Sequence, residues 1–176
     1  LDAARKHYRV EWIIALLYAA ADVGINVFQW HFSDDEGFRI ASHAFPDIVS
    51  EDHLTREEAA RIVETAHSLH IDLVPALDMP GHLRHVLQAR PALRLAQADD
   101  GPADAAVAVD GALDITNPDA VRFAHRLIDD LAPVFRHSTR WNLGGDEFVD
   151  FARIEQYPLL TGAARERFGV DATGFD

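Results

Sequence analysis

Residues 140–148 read RWNLGGDEF and set two acids, Asp146 and Glu147, side by side after two glycines. Neighbouring side chains on a strand point to opposite faces, so both acids could not address one ligand if the chain simply ran on extended. Gly144 and Gly145 lift that restriction, because glycine tolerates backbone conformations closed to other residues and lets the chain turn at a strand mouth. Two nearby carboxylates repel, and repulsion combined with burial raises one pKa until that group stays protonated near neutral pH. One acid then donates its proton while the other stays ionised and stabilises developing positive charge, as cleavage of a glycosidic bond demands. A solvated Gly-Gly-Asp-Glu turn has the same local sequence, so the reading depends on what the chain gathers around it.

Three other stretches carry polar groups of matching character. WHFSDDEGFR at 30–39 contains His31, Asp34 and Asp35, LDMPGH at 77–82 contains Asp78 and His82, and the opening LDAAR contains Asp2 and Arg5. In the first, Phe28, Trp30 and Phe32 share one strand face and Gln29 and His31 the other, so the polar face would line a pocket. His31, Asp34, Asp35, Asp78 and His82 are also residue types that ligate zinc or manganese. No pair such as H-E-x-x-H places two ligands on one helix face, and a site without a metal is the preferred reading. Taken singly, Asp34 and Asp78 could cap turns and His31 could be a satisfied core histidine; together they are harder to dismiss.

The elements that would position these groups alternate. A helical pattern over Val10, Ile13, Ile14, Leu17 and Ala21 stops at Gly24 and gives way to a strand over Ile25–Phe32. Residues 34–51 read as a long polar loop, broken by Gly37 and Pro46, with some short structure. Thr55-Arg56-Glu57-Glu58 has capping-box spacing and starts a helix with Ile62, Val63, Ala66 and Leu69 on its buried stripe, followed by a strand over Ile71–Leu77. Residues 98–112 look like an exposed excursion. Asn117 and Pro118 then open a helix running to Leu131, and a strand is expected over Thr139–Leu143. Beyond Phe151 the pattern fades, leaving 152–176 as an unplaced tail.

Alternating strands and helices call for a parallel sheet, either doubly wound or closed as a barrel. None of the ten glycines forms the G-x-G-x-x-G of a dinucleotide-binding turn. The polar clusters instead recur where successive strands end, the positions from which a (β/α)8 TIM barrel builds its site. Such barrels need about 250 residues, so the expected fold is α/β, a partial barrel of roughly the first four β/α units of a single catalytic domain.

Composition narrows the partners. The 176 residues are 48% hydrophobic, enough for one sizeable core, and the net charge of −13 disfavours nucleic acid and anionic membranes. No cysteine is present, which excludes disulfides and thiolate sites but leaves the compartment open. No apolar run approaches the ~20 residues of a membrane span. The chain starts at Leu1 and reads as a piece of something longer, so any export signal would lie upstream and a secreted or cell-surface protein is compatible.

LDAAR, WHFSDDEGFR, VPALDMPGH and LGGDE occur in the order and approximate spacing of glycoside hydrolase family 20, which the chain resembles from Leu1 to about Phe151. The family contains β-N-acetylhexosaminidases and lacto-N-biosidases. The resemblance implies that Glu147 is the general acid/base, that Asp146 orients the substrate's own 2-acetamido group, and that this group is the nucleophile of a retaining reaction. It implies that Arg5 bonds the terminal sugar's hydroxyls, that Asp34, Asp78 and His82 form the polar network beside the pair, and that no metal or cofactor is needed. The implied partner is a carbohydrate ending in N-acetylhexosamine, with the rest of the barrel or another chain completing the site. Without that completion the chain is expected to be inactive, or to act only as a sugar-binding module. Ala76, Asn142, Glu36 and Phe38 depart from the Glu, His, Gln and Trp usual in the family, and the SHAFPDIVSEDHLT loop is similar to the biosidase branch, which releases a disaccharide.

Overall fold

The computed structural model describes residues 1–98 and 111–173. Helix α1, Val10–Asp22, buries Val10, Ile13, Leu17 and Ala20, while Ile14 and Ala21 of the expected stripe are only partly buried against the core. Strand β1, Val27–Asp34, follows, with Phe28, Trp30 and Phe32 buried on one face. Trp30 and Phe32 join Phe38, Phe135 and Trp141 in an aromatic group whose neighbouring ring centroids lie 5.2 to 6.1 Å apart.

At the end of β1 the Asp35-Glu36 turn folds the chain back into β2, Gly37–Phe38, which pairs antiparallel with β1. The sheet is therefore mixed, where a parallel one was expected. The segment read as a polar loop also buries Phe38, Ile40, Phe45 and Ile48, a short 3₁₀ turn at Pro46–Ile48 carrying the last of these inward. Helix α2, Arg56–Ser68, opens with both halves of the capping box: Glu58 N–H donates to Thr55 Oγ1 at 3.2 Å, and Thr55 N–H donates to Glu58 Oε2 at 2.9 Å. Strand β3, Asp72–Leu77, lies parallel to β1, giving the order β2-β1-β3.

Two isolated parallel bridges extend this sheet, Asp2 beside His31 and Ala76 beside Asn142. The strand expected over Thr139–Leu143 is thus one bridge, held by Asn142 N–H to Pro75 O (3.0 Å) and Leu77 N–H to Asn142 O (3.0 Å). Only the two middle repeats of the expected four carry full strands among the described residues. Helix α3, Arg84–Ala89, was not legible in advance; six residues are too few for a period to show. Helix α4, Pro118–Leu131, has Asn117 as N-cap, its side chain accepting from Asp119 N–H at 2.9 Å. The core lies among α1, α2, α4 and the sheet.

Most of the expected exposed excursion, 99–110, lies outside the described residues, but its flank is not exposed: Ala112 is fully buried. It belongs to a second, smaller apolar cluster with Leu95, Phe148, Val149, Tyr157 and Leu160. That cluster places most of the tail. A 3₁₀ segment at Phe151–Gln156 leads to helix α5, Pro158–Phe168, and the buried Tyr157 hydroxyl accepts from Asp150 N–H at 3.1 Å.

Candidate active site

The opening residues fold onto β1 through their backbone, His31 N–H donating to Leu1 O at 3.0 Å and Ala3 N–H to His31 O at 2.7 Å. Asp2 Oδ1 accepts from the N–H groups of Ala4 and Arg5, each at 3.1 Å, which curls the chain so that the guanidinium reaches back across the strand. Arg5 Nη1 then donates to Asp2 Oδ2 at 3.0 Å and Nη2 meets Asp34 Oδ2 at 2.9 Å. His31 Nε2 reaches the same Asp34 oxygen at 2.8 Å, and Asp34 Oδ1 accepts from Asp35 N–H at 2.6 Å.

Asp34 is 1% exposed, so its charge persists only because donors converge on it. Burial acts to raise its pKa, but the His31 bond, the Asp35 amide and the Arg5 charge outweigh burial and hold it below the ordinary carboxylate value. The same bond to Asp34 raises the His31 pKa against the opposing effect of burial.

Beyond β3, Asp78 is 8% exposed and its Oδ1 has no hydrogen-bond partner. Burial first, and the charge of Asp146 after it, raise its pKa, while His82 and His31 act the other way. Four residues on, His82 takes a left-handed φ of 53° and stands among three acids. Its Nδ1 lies 3.5 Å from Asp35 Oδ2, and its Nε2 lies 3.8 Å from Asp146 Oδ2 and 3.6 Å from Glu147 Oε2.

The turn after Leu143 has the form the two glycines imply: φ is +71° at Gly144, +104° at Gly145 and +47° at Glu147. Gly144 has a further reason to lack a side chain, since a Cβ there would sit 1.6 Å from Asp78 Oδ1. Met79 N–H donates to Leu143 O at 2.9 Å, which ties the two strand mouths together.

Arg5, His31, Asp34, Asp78, His82, Asp146 and Glu147 all line one cavity of about 590 Å³, with Gln29, Ala76 and Asn142 beside them. All six residues singled out as the site thus meet in one place. One expectation fails. The Asp146 and Glu147 side chains are 69% and 78% exposed, so the burial expected at this pair is absent among the described residues. The resemblance read from the sequence points to Asp34 and not to its neighbour Asp35, which the fold sets beside His82. The signal was the two-residue turn of the hairpin, which aims Asp34 and Asp35 in different directions, one at Arg5 and the other at His82.

Ligand atoms of His31, Asp34 and Asp78, of Asp34, Asp35 and His82, and of Asp78, His82 and Asp146 each lie within 4.8 Å of one another. In the first two sets Asp34 already uses both oxygens, and Arg5 supplies the cation that a metal would otherwise provide.

A profile of the glycosyl hydrolase family 20 catalytic domain matches residues 1–167. The chain belongs to this family. It is 28% identical over 180 residues to a lacto-N-biosidase of Bifidobacterium bifidum, covering 100% of this chain and 15% of that protein. It is 28% identical over 174 residues to a β-hexosaminidase of Vibrio furnissii, covering 85% of this chain and 28% of that one. The chitobiase of Flavobacterium johnsoniae superposes with a TM-score of 0.81 at 28% identity, covering 95% of this chain and 26% of that one. The chain therefore spans between 15% and 28% of the length of these relatives, and the family match extends past Phe151 to residue 167, into the segment that sequence patterning leaves unplaced.

Two expected outcomes test this geometry. Gly144→Ala and Gly145→Ala both force alanine into the left-handed region, at about 1–2 kcal/mol, but only at position 144 does the new Cβ strike Asp78. Urea denaturation is expected to show an additional loss of about 1–3 kcal/mol for Gly144→Ala, and equal losses at the two positions would contradict the packing described. His31 gains its partner in the folded state, so its stabilising contribution is complete below the unfolded imidazole pKa and vanishes as pH rises through the raised folded one. His31→Gln should thus cost more stability near pH 5 than near pH 9.

Proposed function

We propose that the complete protein is a retaining glycoside hydrolase that removes β-linked N-acetylhexosamine from the ends of glycans or chitin-like oligomers. The observation that carries this reading is the convergence of Arg5, Asp34, Asp78, His82, Asp146 and Glu147 on one cavity, in a chain of family 20. β-Hexosaminidases among its relatives support it.

In this reading the terminal sugar is held by its hydroxyls on the Arg5 guanidinium, which Asp2 and Asp34 aim into the cavity. Asp146 orients the sugar's 2-acetamido group. The acetamide oxygen attacks the anomeric carbon as the bond to the leaving oxygen breaks, and Glu147 gives its proton to that oxygen. Water then opens the resulting ring at the anomeric carbon and returns a proton to Glu147. Two displacements restore the original configuration. His82, within 4 Å of both acids, positions them, and Asp35 braces its far nitrogen. The chain's own groups account for each proton without a cofactor.

The exposure of Asp146 and Glu147 fits a cavity lacking one wall, and the proposal assigns that wall to further strands of the same barrel or to another chain. With these residues counted as the front four β/α units, the bridges at Asp2 and Asn142 mark the outer strands. A second reading, release of a disaccharide, draws on the likeness to a lacto-N-biosidase along the whole chain.

Assays of the complete natural protein on chromogenic N-acetylglucosaminide and lacto-N-bioside separate the two readings, and turnover of neither ends both. Glu147→Gln is expected to lower kcat on a substrate with a poor leaving group by ~10²–10⁴, and Asp146→Asn to impair it too.

A further inference from the structure

Gly111 is a buried residue at the base of the excursion, far in sequence from the four polar clusters. Its segment is the middle of a three-way ladder. On one side Leu83 N–H donates to Gly111 O at 2.9 Å and Leu113 N–H to Pro80 O at 2.8 Å; on the other Leu95 N–H donates to Ala112 O and Asp114 N–H to Leu93 O, both at 2.9 Å. The ladder grips the turn that carries His82 from both ends.

Within that grip Gly111 faces Asp35. A Cβ at 111 would lie 2.5 Å from Asp35 Oδ1 and 3.3 Å from the backbone nitrogens of Leu83 and Arg84. Asp35 Oδ1 is also the acceptor for Arg84 N–H at 2.9 Å, and its other oxygen is the one beside His82 Nδ1. The absent side chain therefore leaves room for this carboxylate to accept the amide with one oxygen and brace the imidazole with the other. The Leu83 nitrogen cannot retreat without opening the ladder, and the Arg84 nitrogen is bonded to Asp35 itself, so an added methyl is relieved by moving Asp35.

We propose that Gly111 is a positioning residue for the reaction, acting through Asp35 on His82 and so on the Asp146–Glu147 pair. The inference rests on the proposed function. It identifies the returning leg of the excursion as the strap that sets the angle of His82, and it separates this strap from the Arg5 side of the cavity, which binds sugar hydroxyls.

The test uses the complete natural protein and three variants: Gly111→Ala, Asp35→Ala and their double. Gly162→Ala serves as control, since a Cβ there meets nothing within 4 Å. Gly111→Ala is expected to lower kcat by roughly 10- to 100-fold with KM little changed, as displacement of a catalytic group does. It should add little in the Asp35→Ala background, because the two act as one unit. Independently of turnover, the His82 ring signals in NMR should move in Gly111→Ala and stay in Gly162→Ala. A Gly111→Ala variant with unchanged kcat, additive losses, or an unmoved His82 signal would overturn the strap. Absence of turnover in the unsubstituted protein would refute the proposed function instead, with the His82 signal still deciding whether Gly111 sets that ring.

Discussion

A buried carboxylate at the mouth of a strand must be paired or lose its charge, and Asp34 is in that position. Its partners arrive from three places: Arg5 from the segment before α1, His31 from β1 itself, and the Asp35 amide from the hairpin turn. Each partner is fixed by something else. Asp2 curls the opening residues around Arg5, the pairing of residues 1–3 with β1 sets the height of that curl, and the strand's alternation puts His31 on the cavity side opposite Trp30 and Phe32. One buried charge thereby ties the chain's start to its first strand and leaves a guanidinium, half exposed, facing open space.

The opposite side of the cavity is held differently. Asp146 and Glu147 have little burial and are placed by backbone instead: Asn142 and Leu143 are bonded to β3 and its extension, and Phe148 and Val149 are packed into the small cluster around Tyr157. The left-handed residues between these anchors form a short bridge with both ends fixed. Asp78 and His82 stand under it. The unpartnered Asp78 oxygen lies against Gly144, and the imidazole is placed between Asp35 and the acid pair. In the proposed reaction, sugar binding at Arg5 and proton transfer at Glu147 would rest on separate supports that meet at the hairpin turn, where Asp34 serves one and Asp35 the other.

Most of this was readable in the residues. Alternation over Phe28–Phe32, the capping box at Thr55–Glu58 and the Asn117-Pro118 pair each state a local geometry, and the structure has those geometries. The glycines before Asp146 announced a turn, and the turn is there. What escaped depends on contacts that no local pattern encodes. Tyr157 and Leu160 are buried by Leu95 and Ala112, some 45 to 65 residues earlier, so the tail shows no period of its own. The strand expected at Thr139–Leu143 is a single bridge, Ala76 beside Asn142. Asp35 carries no signal of its own because its contact is with His82, a residue brought to it by the fold.

The proposed reaction requires one sugar to be held by Arg5 while its glycosidic oxygen lies against Glu147. A crystal structure of the complete protein carrying Glu147→Gln, soaked with an N-acetylhexosamine-terminated oligosaccharide, measures this directly. The expected result is the terminal sugar with its hydroxyls on the Arg5 guanidinium, its acetamide at Asp146 and its glycosidic oxygen within hydrogen-bond distance of position 147. A sugar bound away from this cavity, or one that reaches position 147 while Arg5 contacts only Asp2 and Asp34, would contradict it.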